Sequence, residues 1–205
     1  VEGHELFNAI YEFVSKDPYS TSAELNGFLR ALSRFGHGVN EVEVFLYTTN
    51  TCNSILCANI VTRYLRERGF YVQEPIKVKA LKSVDDFEEG LIEVLDKVVR
   101  AVVEGRRRGL RVYVNATAGF KAESAFMTLA SLLAGANAIY YIHESFKDIV
   151  ILPSPPIEVS KKYLEIAKEL IEGLPKYTLL QSGFREEDII ELKDKGVIEE
   201  KEGRV

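Results

Sequence analysis

The chain is poor in the residues that staple small proteins together or hold metals. Its 205 residues include two cysteines, Cys52 and Cys57, and three scattered histidines, His4, His37 and His143. Two cysteines make no disulfide framework. With no HExxH and no paired CxxC, the pattern argues against a structural zinc or a metallohydrolase site, and no cofactor is implied. No apolar run approaches ~20 residues, the length that spans a bilayer, and no signal-peptide pattern is visible. The expectation is therefore a cytoplasmic protein with no membrane partner. Basic residues are outnumbered as well, 26 Lys and Arg against 31 Asp and Glu, for a net charge of -5. That balance argues against wrapping duplex nucleic acid. It leaves room for a small anion, which a few backbone amides and one lysine can hold.

What is present describes a soluble globular fold: 46% hydrophobic and 28% charged residues. At this length roughly 70% of the unfolded surface is buried on folding, enough for a full core without staples. Apolar residues at helical spacing predict helices over 3–16, broken by Asp17-Pro18, and from 21 to 35, ended by Gly36 and Gly38. The run 42–47 then reads as a strand ending in Thr48-Thr49-Asn50-Thr51. A helix over 53–68, a short strand at 70–72 and a long helix over 84–104 follow. After them come a strand at 111–114, a helix over 120–133 and a hairpin of 138–143 with 148–152.

Alternating strands and helices with apolar rather than alternating strands predict a parallel sheet covered on both faces. The fold class expected is α/β, a Rossmann-like, mostly parallel sheet with helices on both faces. Such a sheet normally opens with a strand, whereas two helices come first here, so a first strand and its loop are expected upstream of Val1. Pro153-Ser154-Pro155-Pro156 reads as a stiff linker that divides the chain into 1–156 and 157–205. The second piece reads as helix 159–171, helix 185–195 and an incomplete hairpin over 196–205. That is the order of a winged helix-turn-helix, truncated at the wing.

The richest stretch chemically is VYVNATAGFKAESA, residues 112–125. An apolar strand ends in Asn115 and Thr117, passes through Ala118 and Gly119, and enters a helix at Phe120 and Lys121. Ligands of open parallel sheets bind outside the carboxyl ends of the strands. Free N–H groups at a helix start favour an anion there. An ordinary turn with a solvated lysine has the same local pattern. The loop is neither a Walker A nor a GxGxxG fingerprint. Thr48, Thr49, Asn50 and Thr51 form a second candidate, either contacting ribose, phosphate or base edges or serving as turn and helix cap.

Other features read as structural. Arg106 to Arg108 lie before a strand, at the opposite end of the sheet, and read as a solvated turn. Cys52 and Cys57 read as buried thiols. Arg30 and His37 match a loose ribonuclease spacing across a helix end, by chance. His143-Glu144 closes a strand at the ligand edge, where edge packing or a ligand contact both suit it.

The runs NATAGFKAESAF and LLAGANAIYYIHESFKDIVILP, with the earlier SAELNGFLRAL and the strand ending in TTNT, resemble the CRISPR-associated Rossmann-fold (CARF) proteins. The likeness covers roughly 22–156, and it is greatest to the archaeal CARF plus winged-helix branch that includes the ring nucleases. It implies a homodimer that binds cyclic oligoadenylate, such as cyclic tetra-adenylate, across a two-fold interface in type III CRISPR antiviral defence. It carries Asn115, Thr117, Gly119, Phe120 and Lys121 over by position, with Ala118 where that family's loop usually has glycine. Cleavage of the ring without metal is the activity implied, with Lys121 and the amides of Gly119 and Phe120 at the phosphate. The alternative is a sensor that leaves the ring intact and regulates an attached or partner effector, a ribonuclease or a DNA-binding protein.

Overall fold

Local signals set the first elements of the computed structural model, which describes residues 5–79, 84–117, 121–143, 148–155, 157–170, 176–195 and 197–198. α1 (Glu5–Lys16) buries Phe7 and Val14, two turns apart on one face. Pro18 starts a separate single turn, α2 (Pro18–Thr21), because proline suits a first helical position and not an interior one. Ser22 then caps α3 (Ala23–Phe35) by accepting from the Leu25 N–H at 3.2 Å. Gly36 closes α3 at φ 70°, a left-handed conformation that glycine adopts without strain.

The apolar run that follows forms two short strands rather than one, β1 (Glu43–Val44) and β2 (Tyr47–Thr49). They pair in parallel with the halves of another broken strand, β3 (Tyr71–Val72) and β4 (Ile76–Val78). Val44 faces Val72 but Tyr47 faces Ile76, so one strand carries an extra residue between the two halves. Pro75 lies in this bulge, where its missing N–H breaks no ladder bond. The N–H groups of Gln73 and Ile76 bracket it, bonding the carbonyls of Val44 (3.0 Å) and Leu46 (2.8 Å). The expected strand end at Tyr47 is thereby corrected: pairing runs on through Thr48 and Thr49. Their partner β4 escaped the sequence reading because proline interrupts its apolar run.

Two long helices, α4 (Cys52–Glu67) and α5 (Val84–Arg107), flank these pairs. Beyond them β5 (Tyr113–Asn115) runs parallel to β6 (Ala138–His143), with α6 (Lys121–Leu133) between. β7 (Asp148–Ile151) returns antiparallel to β6, as the hairpin pattern predicts. Among the described residues the strands form three small sheets: β1 with β3, β2 with β4, and β5 with β6 and β7.

Side-chain alternation places helices on both faces. Tyr113 stacks on Phe35 of α3 with ring centroids 4.3 Å apart, whereas its neighbour Val114 packs with Val94, Val98 and Val102 of α5. Consecutive strand residues point to opposite faces, so α3 covers one face and α5 the other. Tyr140 and Ile139 repeat the division in β6. A separate core joins Phe7, Leu25, Val44, Tyr64, Leu65 and Val72 from α1, α3, α4 and the first strands.

The chain divides into two compact units, Val1–Pro156 and Ile157–Val205. The second holds α7 (Lys161–Leu170), α8 (Lys176–Gln181) and α9 (Glu186–Asp194). Its core is Leu179 and Ile189, both fully buried, with Leu170, Phe184 and Ile198 against them. α8 was not foreseen, since six residues are too few for helical periodicity to register. Of the hairpin expected over 196–205, only Val197 and Ile198 fall within the described residues. No described helix is long and apolar enough to cross a membrane.

Candidate functional site

β5 ends in a knot of side-chain hydrogen bonds. The Asn115 Oδ1 accepts from both the Thr117 N–H (3.1 Å) and the Thr117 hydroxyl (2.5 Å), an Asx-type turn. Its Nδ2 donates to the Glu24 carbonyl of α3 at 3.4 Å. The Thr117 Oγ1 in turn accepts from the Ile142 N–H of β6 at 3.1 Å. Between them Ala116 is buried and its N–H extends the ladder to the Tyr140 carbonyl (2.8 Å). Asn115 and Thr117, expected as ligand contacts, are thus brought together and spent largely on each other, on α3 and on β6. These bonds fix the shape of the strand end. Ala118, Gly119 and Phe120 lie outside the described residues, and Lys121 is the first residue of α6.

The end of β2 gathers hydroxyls. Thr49 Oγ1 and Thr51 Oγ1 each donate to the Ser54 Oγ, both at 2.8 Å. Thr51 is the N-cap of α4, and its Oγ1 accepts from the Ser54 N–H at 3.3 Å. The Asn50 N–H bonds the Val78 carbonyl (2.8 Å), continuing the β2–β4 ladder, while its side chain is exposed. Ser54 was missed in the sequence reading. The signal for it was the T-x-x-S spacing, which puts the fourth residue over the cap. Among the described residues no side-chain hydrogen bond joins this cluster to Asn115 and Thr117.

The remaining candidates are accounted for by local contacts. Arg30 donates to Asn26 Oδ1 at 2.7 Å and stands over the Tyr19 ring, whereas His37 Nε2 lies 3.1 Å from the Tyr113 hydroxyl. They share no site. Arg106 and Arg107, expected in a turn, belong to the last turn of α5; Arg106 bonds Asn137, Arg107 pairs with Glu104 and Arg108 with Glu43. His143 ends β6 opposite Asp148, and Glu144 lies outside the described residues. One expectation is overturned: Cys52 and Cys57 are both exposed. The fully buried residues of α4 all lie from Ile60 to Leu65, and its first turns are only half-buried, with Leu56 against the core and both thiols on the exposed side.

Charged groups gather beside the end of β2, where the Lys79 N–H bonds Glu93 (2.7 Å) and the Lys97 ammonium donates to the Lys77 carbonyl (2.7 Å). Burial pushes the Tyr47 hydroxyl up to about 12, and its O–H donates to the Lys97 carbonyl at 3.4 Å. Burial raises Tyr140 further. Among the described residues no three His, Cys, Asp or Glu side chains gather as a metal site would require.

A mixed α/β unit with hydroxyl and carboxamide side chains at the carboxyl ends of its strands is the class that fold and site define. Residues 19–155, about two thirds of the chain, match the family model described as CRISPR-associated protein (Cas_APE2256), and the chain belongs to that CRISPR-associated family. The match takes in both strand-end clusters and the whole of α6.

Proposed function

We propose that this protein is a Rossmann-like CARF-type protein of the cytoplasm that binds cyclic oligoadenylate as a homodimer and cleaves it without metal. The observation that carries the reading is the placement of Lys121 at the start of α6, four positions on in sequence from Thr117 at the end of β5. In a protein of a CRISPR-associated family, that placement suits a phosphate of a small nucleotide ring.

The chemistry needs only positioning and charge. A ribose 2′-oxygen attacks the adjacent phosphorus as its proton leaves. The new O2′–P bond forms while the P–O5′ bond breaks, and the departing 5′-oxygen takes up a proton. The product is a linear oligoadenylate ending in a 2′,3′-cyclic phosphate. Fixing the attacking oxygen in line contributes effective molarities of about 10⁵ M or more. Lys121 would neutralise the charge that grows on the non-bridging oxygens.

α6 supports the homodimer. Residues 124–137 contain no charged side chain, and Phe126, Leu129 and Leu133 are 48%, 46% and 40% exposed along one helical stripe. Near a two-fold axis a residue meets its own copy, so a charge would repel itself and an uncharged stripe is what that position tolerates. In the second unit α8 and α9 support a helix-turn-helix resemblance. α9 opens with Glu186, Glu187 and Asp188, a poor approach to a DNA backbone.

Incubating labelled cyclic tetra-adenylate with wild type and Lys121→Ala in EDTA tests the reading. The wild type is expected to give linear product and the variant to be slower by roughly 10²–10³. Equal rates would remove Lys121 from the chemistry. A sensor is the second reading. It is favoured by the hydroxyls of Thr49, Thr51 and Ser54 being bonded to one another rather than to a base. A ring bound and returned intact would establish the sensor.

A further inference from the structure

We propose that Gly27 of α3 is a positioning residue for the Asn115–Thr117 turn, acting by leaving empty the space that turn occupies. A Cβ at residue 27 would stand 2.9 Å from Asn115 Nδ2, 3.1 Å from Thr117 Oγ1 and 3.2 Å from Asn115 Oδ1. The first of these is closer than a carbon and an amide nitrogen approach without displacement. Asn115 is not at liberty to swing aside. Its Oδ1 holds two bonds from Thr117 and its Nδ2 reaches the Glu24 carbonyl. Thr117 is tied in turn to the Ile142 N–H. A side chain at 27 therefore acts on a connected set of bonds that runs from α3 through β5 to β6.

The glycine has no other evident reason to be there. It lies in the interior of a 13-residue helix, buried, away from both caps and outside the left-handed region. Glycine in such a position weakens a helix relative to alanine. Close approach of another group is the physical reason that remains. The α3 backbone thus sets the position of the turn that leads into Lys121, and Asn115 and Thr117 hold the turn rather than the ligand. This deepens the functional reading and rests on it for the identity of the ligand, though not for the geometry.

Thermal melts of the full chain as wild type, Gly27→Ala, Asn115→Ala and the double variant test the geometry without any ligand. Gly27→Ala is expected to lower the melting temperature alone and to leave it unchanged or raise it in the Asn115→Ala background. In the single variant, hydrogen exchange of the Thr117 and Ile142 amides is expected to quicken at least tenfold, with Leu65 in the other core unaffected. Affinity for cyclic tetra-adenylate should fall at least tenfold. A rise in melting temperature with Gly27→Ala alone, an equal fall in both backgrounds, or unchanged exchange at Thr117 and Ile142 would each overturn the proposal. Failure of the wild type to bind the ring would overturn the functional reading, while melting and exchange still decide the role of Gly27.

Discussion

The Ser22 hydroxyl accepts from the Leu25 N–H at the start of α3 and donates to Glu24 Oε2 at 2.8 Å. Removing it leaves an orphan donor at a helix that carries both Gly27 and the stacked Phe35. Ser22→Ala is expected to cost about 1 kcal/mol, about 2–4 °C in melting temperature for a chain of this size. Tyr47 gives a pH signature. Its hydroxyl titrates at about 12 in the folded state and near 10 when unfolded, because burial disfavours the phenolate. The folded state thus holds its proton more tightly. The stability this confers is complete below pH 10 and is lost as pH rises from 10 towards 12. Melts at pH 9 and pH 11 should show a smaller loss for Tyr47→Phe than for wild type. At this scale the sequence made the cap at Thr51 legible, since Thr51 acts on a residue three positions away. It could not show that Asn115 bonds Thr117 and the Glu24 carbonyl. Gly27 against Asn115 was hidden as well, because only the fold brings residues so distant in sequence together.

Elements were legible where one period dominates. In α5 the buried Leu91, Val94, Val98 and Val102 recur every three or four residues, and the helix was readable almost to its ends. The β6–β7 hairpin was readable because two apolar runs lie only four residues apart in sequence. The first strands were not, because a bulge shifts the pairing by one residue and Pro75 interrupts the pattern. That difference moved Thr49 from a loop into β2, so its hydroxyl is held by a paired backbone. The stripe on α6 makes a prediction at this scale. In the proposed homodimer, Leu129→Glu would set two like charges against each other across the two-fold axis, and light scattering is expected to find monomer where the wild type gives dimer. The melting temperature should barely change, because that side chain is 46% exposed.

The molecule as a whole is two units of very different substance. Val1–Pro156 holds two extended cores, whereas Ile157–Val205 is organised around Leu179 and Ile189. Units below roughly 60 residues bury too little surface to be more than marginally stable. The fragment 1–156 is therefore expected to melt cooperatively by itself, and 157–205 to melt at a lower temperature and over a broader range. The residues described between 153 and 160 are all exposed. Limited digestion with proteinase K should first cut there, releasing a fragment of the size of the first unit. A first cut elsewhere would mean that another segment opens more readily.

The two exposed thiols of α4 equip the molecule with its own reporter. Cys52 is in the chain directly beside Thr51, the cap of the hydroxyl cluster, while Cys57 lies further along the same helix, and both are exposed. A ligand seated on Thr49, Thr51 and Ser54 would shield the first thiol from alkylation and spare the second. Occupancy of the strand end then becomes readable by mass spectrometry as the ratio of two labelling rates within one unmodified chain.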